Sequence, residues 1–147
     1  MRVEQRQVKD KPLTVIVEYP EYGQSVERLV KQIKTLGISF TGKTDGKTVS
    51  VDISDIYYIE NVDRKIFIYS QNDVFRYDGT MNGIDSAIGD TDLVRISRTC
   101  FMNVSHLKEI MQIKNSHLEA VLDNNEKLIV SRKYLKDIKK IFRRKLL

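Results

Sequence analysis

The chain has 147 residues, with 25 Lys and Arg against 20 Asp and Glu, a formal charge of +5, 41% hydrophobic residues, 7 Gly and 2 Pro. That composition fits one ordinary globular domain and excludes a disordered, collagen-like or low-complexity chain. A single cysteine, Cys100, excludes an intrachain disulfide, and no apolar run nears the ~18 residues of a membrane span. The N-terminus, MRVEQRQVKDKP, lacks the apolar centre of a signal peptide, so a cytoplasmic protein that needs no cofactor is expected.

Residues 13–18, LTVIVE, are a β-branched run closed by Tyr19-Pro20 and predict a first strand. Ser25 as cap, Val26, Leu29, Val30, Ile33 and Leu36 at helical spacing, and Gly37 as a left-handed exit predict a helix over 25–36. Together they make a small β-α extension, residues 1–42, ahead of a main domain over 43–147. From Thr48 the apolar period falls to two, and TVSVDI, DIYYIE, KIFIYS and DVFRYDG read as strands, with Gln71-Asn72-Asp73 as a hairpin turn. Residues 81–89 predict a short connecting helix burying Met81, Ile84 and Ile88.

Beyond Thr91 follow LVRIS, CFMNV, LKEIMQIK, LEAVLD and KLIVS, with Asp123-Asn124-Asn125 turning a hairpin. Short strands at such close spacing predict a mainly β fold of antiparallel sheets. A helix capped by Ser131 ends the chain, with Tyr134, Leu135, Ile138, Ile141 and Phe142 on one face and Lys136, Lys139, Lys140, Arg143 and Arg144 on the other.

Enzymatic chemistry finds no support in these residues. Gly37 to Thr44 satisfies G-x-x-x-x-G-K-[ST], the phosphate-cradling loop of nucleotide hydrolases. That loop needs a strand before it and a helix after it, so that helix-terminal amides converge on the phosphates. Here the predicted order is reversed, so no nucleotide is expected, and the repeated Gly-Lys-Thr reads as a turn-rich loop. Cys100, His106 and His117 offer no zinc spacing; Cys100 fits a buried thiol beside Phe101, and His106 fits packing or a turn cap. Among the carboxylates Asp52, Asp55, Glu60 and Asp63, strand alternation turns several outward, and no catalytic pair is identified.

Charge by segment is more informative. Residues 1–40 carry +2, 41–94 carry −5 and 95–147 carry +8, which places a strongly basic third at the C-terminal end. A solvated helix face explains such a segment by itself. Three polar clusters, however, stand between apolar strands where turns begin: Asp63-Arg64-Lys65, Arg95-Ile96-Ser97-Arg98-Thr99 and Ser131-Arg132-Lys133-Tyr134. On one edge of a sheet system they would present cations with hydroxyl donors, which suits phosphates and guanine edges.

Ile56-Tyr57-Tyr58-Ile59-Glu60, the block from Leu93 to Leu107, and Val130-Ser131-Arg132-Lys133-Tyr134, in that order, resemble the LytTR family of bacterial DNA-binding domains. The family pattern reads roughly I-x-Y-I-E, then F-V-R-x-H-R-S-x-x-V-N-x-x-x-I, then V-S-R-x-Y, and the resemblance covers about residues 43 to 146. It implies antiparallel sheets that read duplex DNA through loops rather than a recognition helix. Carried over residue by residue, it assigns DNA contact to Arg64, Lys65, Arg98, Ser131, Arg132 and Lys133. Arg95, Ser97, Asn103, Tyr134, Lys139 and Lys140 fit either a backbone-contacting or a structural role. Ser97 stands where the family often has His, and Thr99 where Ser is usual.

The resemblance further implies a short regulator without a receiver domain, acting as a homodimer and sometimes restrained by a membrane-bound regulatory protein. Another reading of the same surface is a protein-interaction module whose basic helix docks an acidic or membrane partner. RNA binding ranks below both, because no aromatic stacking signature of the common RNA modules is present.

Overall fold

Alternating apolar residues from Thr48 onward build two antiparallel sheets, described in a computed structural model over residues 1–89, 91–113 and 117–146, the side chains of 141–146 excepted. Among these residues the order is α1 (Gln24–Thr35), β1 (Ser39–Thr44), β2 (Lys47–Asp52), β3 (Tyr58–Val62), β4 (Lys65–Tyr69), β5 (Val74–Tyr77), α2 (Met81–Ile88), β6 (Leu93–Ser97), β7 (Cys100–Asn103), β8 (Leu107–Gln112), β9 (Leu118–Leu122), β10 (Lys127–Val130) and α3 (Arg132–Leu146). One sheet has seven strands in the order β2-β1-β5-β4-β3-β7-β6, and the other has three in the order β10-β9-β8. The mainly β prediction therefore holds, as do the turns at Gln71-Asn72-Asp73 and Asp123-Asn124-Asn125.

The large sheet is the middle layer. One of its faces, with Phe40, Ile59, Ile68, Phe75 and Phe101, packs under Ile84 and Ile88 of α2. The opposite face, with Tyr58, Ile96 and Met102, packs against Ala120, Leu122 and Val130 of the small sheet and Ile138 of α3. Predicted core positions Ile141 and Phe142, like Arg143 and Arg144, lie outside the described side chains.

Three local expectations fail. Residues 13–18 form no strand, and Leu13 and Ile16 stand 100% and 79% exposed. β-branched residues favour a strand only where a neighbouring strand and a packed face receive them, and none does here. Ser25 does not cap α1, which starts one residue earlier from Gly23 with no side-chain cap bond. The repeated Gly-Lys-Thr is not a loop but the paired strands β1 and β2, joined by a two-residue turn at Asp45-Gly46 with φ of 47° and 75°. Asp-Gly is a strong two-residue hairpin signal, and it explains that repeat without any phosphate.

β1 also decides the nucleotide-loop match. Gly42 and Lys43 lie in extended ladder backbone, paired with Val49 and Thr48. The Lys43 ammonium lies 2.6 Å from the Asp78 carboxylate, and this contact holds the Asp78 carboxyl below the usual carboxylate range. Gly42 is needed for space: a Cβ there would stand 2.6 Å from the Phe75 Cβ. We expect Gly42→Ala to destabilise the fold by about 1–3 kcal/mol through overpacking, read as a lower urea midpoint at unchanged slope.

The interface between the sheets carries a tyrosine cluster. Tyr58 and Tyr69 stack at 4.2 Å and 9°, and burial first, then nearby Glu126 and Glu60, raises both hydroxyl pKa values. Tyr57 is raised by its hydrogen bond to Asp123. An acid whose folded pKa is raised keeps its proton longer in the folded state, so stability falls once pH passes the unfolded value near 10. Thermal melts should hold a steady midpoint to about pH 9 and then lose it, and the Tyr58→Phe, Tyr69→Phe double variant should lose less of it between about pH 10 and 11.

Candidate nucleic-acid interface

Hairpin geometry places the first cation. Val62 pairs with Lys65, which leaves Asp63 and Arg64 as the two-residue turn between β3 and β4, with φ of 52° and 66°. Two positive φ values suit the right-handed twist of a tight hairpin, but a non-glycine residue there is strained. Arg64 is thus presented at an exposed apex, with Lys65 exposed at the root of β4.

The second cluster is the turn between β6 and β7. Register passes from Arg95 opposite Phe101 to Ser97 opposite Cys100, so Ile96 is an inserted bulge residue. Arg95 lies beneath the turn and braces it. Its Nε donates to the Ser97 carbonyl at 3.1 Å, Nη2 to the Arg98 carbonyl at 2.6 Å and Nη1 to the Asp85 carboxylate at 3.1 Å, with the guanidinium 5.3 Å over the Phe101 ring. Ser97 Oγ accepts the Thr99 N–H at 3.3 Å. With its neighbours so tied, Arg98 is the cation of this turn left exposed.

The bulge also locates the third cluster. The Ile96 carbonyl accepts the Ser131 N–H at 2.8 Å, which fixes the entry to α3 beside the β6–β7 turn. Tyr134 closes the first helical turn by donating its N–H to the Ser131 carbonyl at 3.0 Å, and Ile138 anchors the helix in the second core. Arg132, Lys133, Lys136, Lys139 and Lys140 remain on the exposed side. Lys133 Nζ lies 5.6 Å over the half-buried Tyr134 ring.

A further backbone bond joins the first two clusters. The Asn61 N–H donates to the Thr99 carbonyl at 2.8 Å, so both turns leave the large sheet at one end. Asp63 lies two residues further on, so the β3–β4 turn projects roughly 7 Å beyond that bond. The three basic segments thus lie at one end, where the Arg64 turn reaches beyond the β6–β7 turn.

Asn103 is bonded entirely within the fold by the contacts described here. It is fully buried; Nδ2 donates to the Ile53 and Ile56 carbonyls at 3.1 and 2.8 Å, and Oδ1 accepts the Ser105 N–H and hydroxyl at 3.0 and 2.6 Å. His106 packs as predicted. It stacks on Tyr57 at 4.0 Å and lies between the Asp123 carboxylate at 3.3 Å and the Ser54 carbonyl at 2.9 Å. Cys100 is a buried thiol whose pKa is pushed up to about 12 by burial and by Glu60. No group of acidic, His or Cys side chains among the described residues could hold a metal.

Sequence reasoning missed two contributors. Asp85 of α2 holds Arg95, and only the fold brings that helix over β6. Leu118 pairs with both Gln112 and Val130, which sets the exposed His117 at the end of the small sheet where α3 begins.

The LytTr DNA-binding domain model matches residues 46–143, about two thirds of the chain. This chain belongs to the LytTR family. It is similar to the sensory transduction protein LytT of Enterococcus faecalis, 27% identical over 135 residues, which make up 89% of this chain and 55% of that protein. LytT of Bacillus subtilis is 29% identical over 93 residues, 63% of this chain and 39% of that protein. The transcriptional regulatory protein LytR of Staphylococcus aureus is 29% identical over 72 residues, 49% of this chain and 29% of that protein. The chain therefore spans about half the length of the E. faecalis relative and less of the others. A solved LytTr DNA-binding domain from a Bacillus cereus methyl-accepting/DNA response regulator shares the fold, with a TM-score of 0.65 and 23% identity over 70% of this chain and 94% of that one. The segments that resemble the family pattern fall on the β3 strand, the β6–β7 block and the β10–α3 junction.

Proposed function

We propose that this LytTR protein is a sequence-specific transcriptional regulator that grips duplex DNA with the turns at Arg64 and Arg98 and the start of α3. The observation that carries this reading is the meeting of those three segments at one end of the large sheet, through the Asn61–Thr99 and Ile96–Ser131 backbone bonds. Turns on a rigid sheet suit groove reading, since base contacts need fixed side chains while phosphate contacts supply most of the affinity. Arg64, Arg98 and Arg132 take base edges, where a guanidinium binds guanine O6 and N7 together. Lys65, Lys133, Lys139 and Lys140 take phosphates, and Ser131 and Tyr134 position the helix. Such a protein works in the cytoplasm, beside the chromosome.

Selection from random duplexes tests this. An enriched, recurring motif is expected. Failure to enrich any motif at every salt concentration would contradict the regulator reading and favour the interaction module with its basic docking helix. The lysines give a second result: Lys139→Ala or Lys140→Ala should weaken all duplexes alike and reduce the salt slope by ~0.9 for each lost phosphate contact. A changed sequence preference at an unchanged slope would instead place that lysine on a base.

A further inference from the structure

A helix of 12 residues is marginal in water unless its apolar face is packed, yet none of the 12 residues of α1 is buried. Its apolar side is half covered at Val26, Leu29, Val30 and Ile33, and Leu36, just past its end, is 76% exposed. Between the C-terminal half of the helix and the main domain lies a cavity of about 460 Å³, with Leu29, Ile33 and Leu36 on the helix side and the buried Ile53 opposite. Small-molecule sites run from roughly 300 to 1,000 Å³, mostly apolar with a few fixed polar groups.

The charge in this cavity has one sign. Asp52 and Asp92 line it, and among the described residues no Lys, Arg or His does, a local reversal in a chain of formal charge +5. The helix acts in the same sense, because its C-terminal turn borders the cavity and the peptide dipoles favour a cation there. The two carboxylates differ in what they already hold. Asp92 is paired with Lys31 at 3.2 Å. Asp52 stands at the N-cap of the short 3-10 turn Ile53–Asp55, where an aspartate ordinarily accepts a turn N–H, yet it makes no such bond. Among the described residues its side chain has no ion pair or hydrogen bond at all, so a free carboxylate edges an apolar cavity.

We infer that this cavity binds a small organic ammonium, with its apolar body against Leu29, Ile33, Leu36 and Ile53 and its cationic head on Asp52 at the C-terminal end of α1. Binding removes from water the helix face that the chain alone leaves half exposed. A carboxylate ligand of equal length would meet Asp52, Asp92 and the helix end as like charges, which gives the site its selectivity. β7 runs from Cys100 at the Arg98 turn to Asn103 beside the cavity, so the site lies at the other end of that strand and is tested without DNA.

Octylammonium, octanol and octanoate, titrated below their micellar concentrations into the full chain, separate charge from apolarity, with backbone amide shifts as the readout. Octylammonium should saturate, with its largest changes at residues 29–37 and 52–54, and octanoate should bind least. Asp52→Asn, altered at an exposed carboxylate without a partner, should keep the wild-type urea midpoint. It should weaken octylammonium roughly ten-fold, the loss of one charge-assisted hydrogen bond, and leave octanol unchanged. Leu36→Ser, also at an exposed position, should instead weaken octylammonium and octanol alike.

Octanoate binding as tightly as octylammonium, or an Asp52→Asn variant that keeps the ammonium preference, would overturn the inference. So would an absence of saturable octylammonium binding, including the case in which residues 13–19 of the chain, with Leu13 and Ile16 100% and 79% exposed, fill the cavity themselves.

Discussion

Arg98→Ala and Arg132→Ala should each lower affinity for the selected duplex by ~1–3 kcal/mol, roughly 5- to 150-fold, if each guanidinium holds a guanine edge in bidentate fashion. Affinity for unrelated duplexes should fall much less, because one phosphate-sized charge is all that is lost there. Fluorescence anisotropy at one fixed salt concentration, with cognate and scrambled duplexes, reads both. Arg64 gives a result of opposite signs. Arg64→Gly relieves a side chain held at φ 66° and should stabilise the fold by about 1 kcal/mol, while weakening specific binding. A variant more stable yet weaker on DNA separates a contact residue from a structural one. Arg95→Ala should also weaken specific binding, though Arg95 acts as a positioning residue: its donors hold the Ser97 and Arg98 carbonyls, and without them the turn no longer fixes Arg98.

Asn103→Ala should cost about 1–3 kcal/mol of stability, since the buried Ile56 carbonyl loses its amide donor and the Ile53 carbonyl is left with the Ile56 N–H. Asn103→Asp keeps the shape and should be no better, because it sets a carboxylate oxygen against two carbonyls where an amide donated. Urea unfolding checks both, through a lower midpoint at unchanged slope. Unchanged stability together with lost DNA binding in Asn103→Ala would contradict the structural role.

The strands of the central sheet were legible where one face is buried more deeply than the other and alternation survives, as in KIFIYS, where Ile66 and Ile68 are buried in the first core and Phe67 and Tyr69 are half-buried on the other side. The β4–β5 and β9–β10 turns were legible because Asn and Asp accept turn backbone at little steric cost. Residues 13–18 misled for the converse reason: their propensity is genuine, but no partner strand is present in one chain. The Asp45-Gly46 hairpin was obscured by the nucleotide-loop pattern overlapping it. At the interface, each cluster was visible as a local run of cations and hydroxyls between apolar strands. Their meeting was not, because it depends on the Ile96 bulge turning one carbonyl out of the ladder and toward Ser131. Nor does local sequence separate Arg95 from Arg98; bulge and turn geometry commit the first to backbone carbonyls and leave the second exposed.

The central claim is that two turns at one end of the large sheet and the start of α3 form a single DNA surface. Mapping backbone amide shifts on titrating the full chain with its selected duplex tests that claim most directly. The account predicts that the largest changes fall together at residues 63–65, 97–99 and 131–134, with smaller ones along the exposed face of α3. Changes concentrated instead at the opposite end of the sheet, at Asp45-Gly46 and Gln71-Asn72-Asp73, would contradict it.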